Sequence, residues 1–542
     1  MYFKKIQIWL IVILAAGILL SLNLEVQDKL DNMIQQEKLV DEASVKGLPP
    51  MVAFTTVALG GFRGLLADLL WLRAGALQEE GKYFELVQLA SWITKLQPKF
   101  TGATAYLSWN MAYNVSVTFQ APEDRWRWVQ RGIELIRDEA LNYNANDPVL
   151  YQQLGWIYQH KMGNTLDDAQ RYYKFQIAKE MQKAFGGVPD PDWKALNDAP
   201  RSFVEFRKLH PQEEYWNKIR QAGFPDDEAL NRAFRETGLL PEALTKALSA
   251  DDAKELETFL RAIWLRDYYK IRPEIVLEIT EKYGKLDWRT SESYAIYWAT
   301  LGNMYSPKRQ SIECDRMITQ SLKESFIGGR MLMPEGVPSE DYLLVPNLDL
   351  ADAVRESFLL AAERNQYAQS FKSALDNFMI DAIVTLYSYG REKKAREYFK
   401  IMQKERLPGD KRFLNFDQFV LTQWTEDVKD GSYKQVHDLI SGLIFTAALY
   451  IAYDDRAAGE AHLKLAKMAY DRYALSFKDV DRMKLPPFGT MKKEIVTMVI
   501  NNYPKLAPRL RGEIMEEQQS TVPAASLLPG TQLLPALPGA KK

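Results

Sequence analysis

The chain has one cysteine, Cys314, and four histidines, His160, His210, His437 and His462. A single thiol excludes an internal disulfide and a cysteine-built zinc centre, and no two histidines stand at a metal-pair spacing. His437 and Asp438 are sequence neighbours, which a helix points apart, so they read as a surface pair and not as a dyad. Asn142, Asn144, Asn146 and Asp147 imitate half a calcium loop, but the turn glycine and bidentate glutamate are missing. They read as an inter-helix loop before Pro148. Gly60, Gly61 and Gly64 follow no strand, and Gly328, Gly329 and Arg330 lack the Lys and Ser/Thr of a phosphate loop. Neither G-x-S-x-G nor H-E-x-x-H occurs, and the Asn114/Ser116 glycosylation pattern lies in a predicted helix. The expectation is a protein with no catalytic residue, no metal and no cofactor, and so not an enzyme.

Carboxylates are the one chemical resource in quantity, with 71 Asp and Glu. Two of them in a ring of helical hairpins could act as acid and base on a sugar, and the 13 Trp and 27 Tyr could stack on it. That gives the alternative reading, a cell-envelope α/α-toroid enzyme acting on polysaccharide. Most aromatics, however, stand at helix-packing positions, as Trp92 does with Leu89 and Leu96. Trp126, Trp128, Trp156 and Trp288 form a surplus, where a binding surface is expected. Lys and Arg number 69, so the net charge of -2 gives no reason to expect a nucleic-acid partner.

The elements that must position these residues are helices. The chain has 542 residues and is 47% hydrophobic, enough for a large core. After Lys4 and Lys5, the run Ile6 to Leu22 holds no charge, and at about 1.5 Å per residue it approaches a bilayer core of roughly 30 Å. No small-residue cleavage site follows, so residues 1–24 are expected to form an uncleaved transmembrane anchor. The lysines before it, and Glu25, Asp28 and Asp31 after it, place the N-terminus in the cytoplasm and the body in the periplasm or cell exterior. Residues 25–63 read as stalk and linker. The apolar stretch from Pro49 to Leu72 carries Arg63 and Asp68, which argues against a second span. It is expected to enter a buried first helix, with a helix on the membrane surface as the other option. From 64 to 512 apolar residues recur at three and four residue spacing, with no hairpin-bounded alternation, so the body is expected to be all-α. Residues 513–542, rich in proline, read as a disordered tail.

Two segments share one pattern. Tyr151, Leu154, Gly155 and Tyr158 have the spacing of Trp298, Leu301, Gly302 and Tyr305, with Gly where a second helix must come close. A small residue followed by an aromatic four later recurs at Ala169/Tyr173 and Ala395/Phe399, and Cys314 takes the small position after Trp298. The pattern resembles the tetratricopeptide repeat family. It covers 64–181 and, more thinly, 291–512, with an irregular helical region at 182–290. The resemblance implies a helical-hairpin solenoid that binds a protein or peptide partner, possibly within a membrane-protein complex, through the inner face of its first helices. Carried onto this chain, that face comprises Asn110, Asn114, Gln152, Trp156, Gln159, His160 and Asn303. A membrane-anchored extracytoplasmic scaffold or adaptor is the function expected. Gly155 and Gly302 are expected at close approaches, Gln159 on an open face, and Cys314 buried.

Overall fold

The computed structural model describes residues 62–97, 100–164, 166–306, 311–333, 342–366, 368–420, 433–476, 484–506 and 508–510, together with positions 26, 29 and 422. The expected anchor at 6–22, nearly all of the stalk, and the tail from 513 lie outside the described residues. Among the described residues, no helix is long and apolar enough to cross a membrane. The described residues are all-α except for a short antiparallel ribbon, β1 (Arg330–Leu332) and β2 (Leu343–Val345), in which Arg330 faces Val345. Strands of three residues are too short to show a period of two, which is why the sequence hid them. Contacts divide the chain into two compact units, residues 1–119 with 127–150, and residues 120–126 with 151–542.

The first unit holds α1 (Phe62–Glu79), α2 (Tyr83–Leu96), α3 (Thr101–Asn110) and most of α4 (Pro122–Glu134). Gly81, at φ +71°, reverses the chain between α1 and α2. Both α3 and α4 run on into π-helical turns, Met111–Val115 and Leu135–Ala140. Ala74, Leu86, Ala90, Ile93, Leu107, Met111, Val115, Trp128 and Leu135 form the core. Gly132 sets its tightest spacing. A Cβ there would stand 2.7 Å from the Ser108 carbonyl, and the Ser108 hydroxyl donates to the Gly132 carbonyl at 2.7 Å.

Helix α1 departs from its expected burial. Ala67, Ala74 and Leu77 are buried, but Leu65, Leu66, Leu69 and Leu72 are exposed, Leu69 by 56% and Leu72 by 70%. A helix that is apolar around most of its circumference carries little periodic sign of which side its neighbours cover. In α2, Trp92 is 53% exposed although Leu89 beside it is buried.

Most of α5 (Pro148–Trp156) lies in the second unit, where it continues as a π turn, Ile157–Gly163, and α6 (Gln170–Ala184) follows. Seven helices fill the irregular region: α7 (Trp193–Asp198), α8 (Phe203–Leu209), α9 (Glu213–Gln221), α10 (Asp227–Thr237), α11 (Glu242–Ala247), α12 (Ala250–Ile263) and α13 (Pro273–Tyr283). Four of them, α7, α8, α10 and α12, start at side-chain caps, Asp192, Ser202, Asp226 and Ser249, each accepting the amide three residues on. Two arginines, Arg261 buried and Arg266 half-buried, tie the region together. Arg261 donates to the carbonyls of Ala184 at 2.7 Å and Gly238 at 3.2 Å, at the ends of α6 and α10. Arg266 reaches the carbonyls of Leu196, Asn197, Ala199 and Pro200, where the C-terminus of α7 leaves acceptors open.

The remainder is a run of hairpins: α14 (Ser291–Tyr305), α15 (Ile312–Gly328), α16 (Ala351–Arg364), α17 (Gln369–Ser388), α18 (Glu392–Arg406), α19 (Tyr433–Ala452), α20 (Arg456–Ser476) and α21 (Phe488–Asn502). Ser311 caps α15 at the Cys314 amide. Ala395 and Phe399 are buried, as their spacing predicts. A Cβ on Gly459 would meet Ile451 at 2.5 Å and the Ala447 carbonyl at 3.0 Å, which marks the closest point of α19 and α20.

Candidate partner-binding surface

The two matching segments, α5 and α14, meet face to face. Tyr151 stacks on Tyr305 with centroids 5.3 Å apart and on Trp298 at 6.0 Å, and Tyr158 stacks on Tyr294 at 5.1 Å. The start of one helix therefore lies beside the end of the other, and they run antiparallel. Units stacked along one axis repeat by translation and would set equivalent helices parallel, so these two hairpins face each other instead of following one another. Both glycines stand where side chains have no room. A Cβ on Gly302 would lie 2.7 Å from Cys314 Sγ, and one on Gly155 would collide with Met317 Sδ. Cys314 is fully buried, and that burial pushes its thiol up to about 11.

The seven residues expected on one binding face belong to two units, Asn110 and Asn114 to the first and the other five to the second. In the first unit, Asn110 is buried and donates to Gln78 Oε1 at 2.6 Å, while Asn114, which is exposed, donates to Asn110 Oδ1 at 2.8 Å. In the second unit, Asn303 is buried. It donates to Asp315 Oδ1 at 2.9 Å and accepts the Ser311 amide at 2.9 Å, bracing the α14–α15 turn. Gln159 is not on an open face either. Its amide donates to the Met317 carbonyl at 3.1 Å and to Ser321 Oγ at 3.0 Å, which fastens α5's π turn to α15. Gln152 is half-buried, its backbone beside Gly302.

Trp156 and His160 remain as a surface pair. Trp156 is 37% exposed, and the rings stack at 4.6 Å with 12° between their planes. One turn of helix separates them, and the π turn beginning at Ile157 brings them into line. Burial, helped by the charge of Lys161, holds the His160 imidazole below its usual range, so the stacked plate is uncharged at neutral pH. Just beyond it, Lys161 pairs with Asp167, which also accepts from Arg125 at 3.2 Å. Burial works against the Asp167 charge, but the Lys161 hydrogen bond, the Ala169 amide and the Lys161 and Arg125 charges outweigh it and hold this carboxyl below the ordinary range. The other surplus tryptophans, Trp126, Trp128 and Trp288, are core residues. His437 and Asp438 approach to 3.7 Å and are half-exposed, closer than helix geometry suggested, though still a surface pair. Asp147 accepts the Val149 amide at 2.8 Å, which is the loop role expected for it.

Two charged clusters escaped the sequence reading. Asp315, buried, gathers Asn303, Arg364 at 3.0 Å and Asn365 at 2.9 Å, with Lys282 and Tyr283 in the same small cleft. Nothing in its spacing announces it, because its partners come from three helices. Glu292 was more visible, as the only charged residue in α14. It is buried, accepts from Ser291 Oγ at 3.1 Å, and lies where a Gly163 Cβ would be 3.1 Å from its Oε1. Glu324 feels its charge. Burial first, and Glu292 second, raise the Glu324 carboxyl above the ordinary range, although solvent reaches its side chain. Among the described residues no group of three or more His, Cys, Asp or Glu could hold a metal ion. In comparison with known proteins, the chain matches no family model, no curated protein and no solved structure.

Proposed function

We propose that the chain is a membrane-anchored scaffold or adaptor, held by residues 6–22, whose helical-hairpin body works outside the cytoplasm and binds a protein or peptide partner. The observation that carries this reading is the Trp156–His160 plate: a flat, uncharged, partly exposed aromatic surface on a helix fixed from behind by Gln159 and by the Tyr151 and Tyr158 stacks. Exposed aromatics on a rigid support lose little entropy on binding and are the usual anchors of interfaces. Asn110, Gln159 and Asn303 are engaged in internal hydrogen bonds, and Gln152 stands about one turn before Trp156 on the same helix. The finer part of the reading, a repeat solenoid of the tetratricopeptide kind, rests on the glycine and aromatic spacings alone, and the antiparallel meeting of α5 and α14 stands against stacking these two segments along one axis.

A photo-crosslinking residue placed at position 156 in the full chain, with the same residue at Val204 (66% exposed) as control, tests it in the native membrane. A discrete adduct at 156 that is absent at 204, and lost on His160→Ala, is the expected result. Identical adducts at both positions, or none at 156, would remove the surface. The enzyme alternative has one observation in its favour, the Glu324 carboxyl raised above the ordinary range by burial and by the nearby Glu292, as a general acid acting on a polysaccharide would be. Oligosaccharide release that stops on Glu292→Gln and on Glu324→Gln would move the proposal there.

A further inference from the structure

The exposed leucines of α1 are confined to one part of one face. Leu65, Leu66, Leu69 and Leu72 fall within about 120° of helical rotation in the first eleven of its eighteen residues, with Asp68 at the edge. Further along, the same face turns charged: Arg73 and Glu80 are exposed and ion-paired at 3.2 Å, and Lys82 meets Glu80 at 2.8 Å. The polarity of the face thus changes along the helix axis, with its apolar end towards the N-terminus. Two more rings extend the apolar end. Trp71, half-buried, packs against Tyr106 at 5.3 Å, and Tyr106 is itself 47% exposed. Water covering four adjacent leucines is unfavourable by roughly 25 cal/mol per Å², so something else covers them.

The sequence that leads into this face narrows the choice. From Gly47 to Phe62 no residue is charged, and 6–22 is the uncharged run before it. If 47–61 folded back over the leucines, its own outer side would be as apolar as the surface it hid, so the exposed apolar area would move outward without shrinking. A lipid surface has no such outer side. We infer that α1 as far as Leu72, through Leu65, Leu66, Leu69 and Leu72, lies in the interface of the bilayer that residues 6–22 enter, with Trp71 and Tyr106 at headgroup level and the charged end from Arg73 onward in water. This rests on the proposed anchor. It adds a second, peripheral contact, which fixes how the first unit meets the membrane.

The buried Cys314 makes the test clean, since an introduced surface thiol is the one that labels. Full-length protein is reconstituted into phospholipid vesicles with an environment-sensitive fluorophore on Leu69→Cys, Leu14→Cys or Leu239→Cys, the last an exposed site in the second unit. Spin-labelled lipid should remove roughly half of the emission at 69, because an interfacial helix sits about 5–10 Å into the headgroup region. It should quench 14 as strongly and leave 239 unchanged. If 14 is quenched while 69 is reached only by aqueous iodide, the anchor stands and the interface is wrong. If 69 is shielded from both quenchers, another stretch of protein covers the leucines, and the inference fails as well. Quenching at 69 without quenching at 14 would overturn the anchor and leave the interface standing.

Discussion

Helices α1 and α14 are both apolar around most of their circumference, and they meet opposite fates. In α14, twelve of fifteen residues are buried, including Ser291, Ser293, Ala295, Ala299 and Gly302, whose small size lets α5 and α15 close in. In α1 the side opposite α2 is open, and the residues there are leucines. Overall hydrophobicity therefore does not separate an enclosed helix from one that awaits a covering. Residue size does. Small residues interleaved with aromatics mark contact with other helices, whereas a face of leucines alone suits a smooth, deformable neighbour.

The strongest way to break this comparison uses one residue type in two places. Trp298→Ala, at 2% exposure in α14, is expected to cost about 3–5 kcal/mol. Trp92→Ala, in the first unit, should stay within about 0.5 kcal/mol, as surface substitutions do. Chemical denaturation of the two variants measures both, and equal losses would erase the distinction. Next in size is Gly302→Leu, expected to cost about 1–3 kcal/mol through collision with Cys314. Cys314→Ala in the same chain should recover part of that loss, and a purely additive double-mutant cycle would place the clash elsewhere. Gln159→Leu, expected from sequence to be harmless, should cost about 1–2 kcal/mol because Ser321 Oγ and the Met317 carbonyl lose their donor.

A smaller effect depends on pH. Since the Glu324 carboxyl is raised above its ordinary 4.5, the folded chain holds a proton there after the unfolded chain has lost its own. Stability from this group therefore falls as pH rises from about 4.5 through the raised value. Glu324→Gln should leave the Tm near pH 4 unchanged and raise it at pH 7, and a drop at pH 7 would mean that Glu324 is ionised and paired. Smallest of all, Leu69→Ser should alter stability by no more than about 0.5 kcal/mol, the counterpart of Trp298 in a helix of similar composition.

The sequence made the helices, the close approaches at Gly155 and Gly302, and the burial of Cys314 legible, because each rests on local spacing. It also carried caps at Asp192, Ser202, Asp226 and Ser249 that would have divided 182–290 into helices, a signal left unused. The antiparallel meeting of α5 and α14 was hidden, since a pattern along one chain fixes which face is apolar but not the direction of the helix that covers it. The asparagines misled for a related reason. An uncharged polar residue on a helix face suits an interface with a partner and an internal brace equally well, and only the position of Gln78, Ser311 or Asp315 decides between them. Trp156 was separable from Trp126, Trp128 and Trp288 only once their neighbours were known.

The π turns at Met111–Val115, Leu135–Ala140 and Ile157–Gly163 bear on how such a chain can change length. Each closes its ring one residue later than an α turn, so each stores a residue that a regular helix would not need. Removing one residue from Ile157–Gly163 would let the turn relax to α geometry while Gly155 and the residues after Gly163 keep their faces. The same deletion within α14, which has no such slack, would rotate every later side chain by about 100° and carry Gly302 away from Cys314. Insertions and deletions among relatives of this chain should accordingly gather at the π turns, and melting curves of the two single-residue deletions would expose the difference directly.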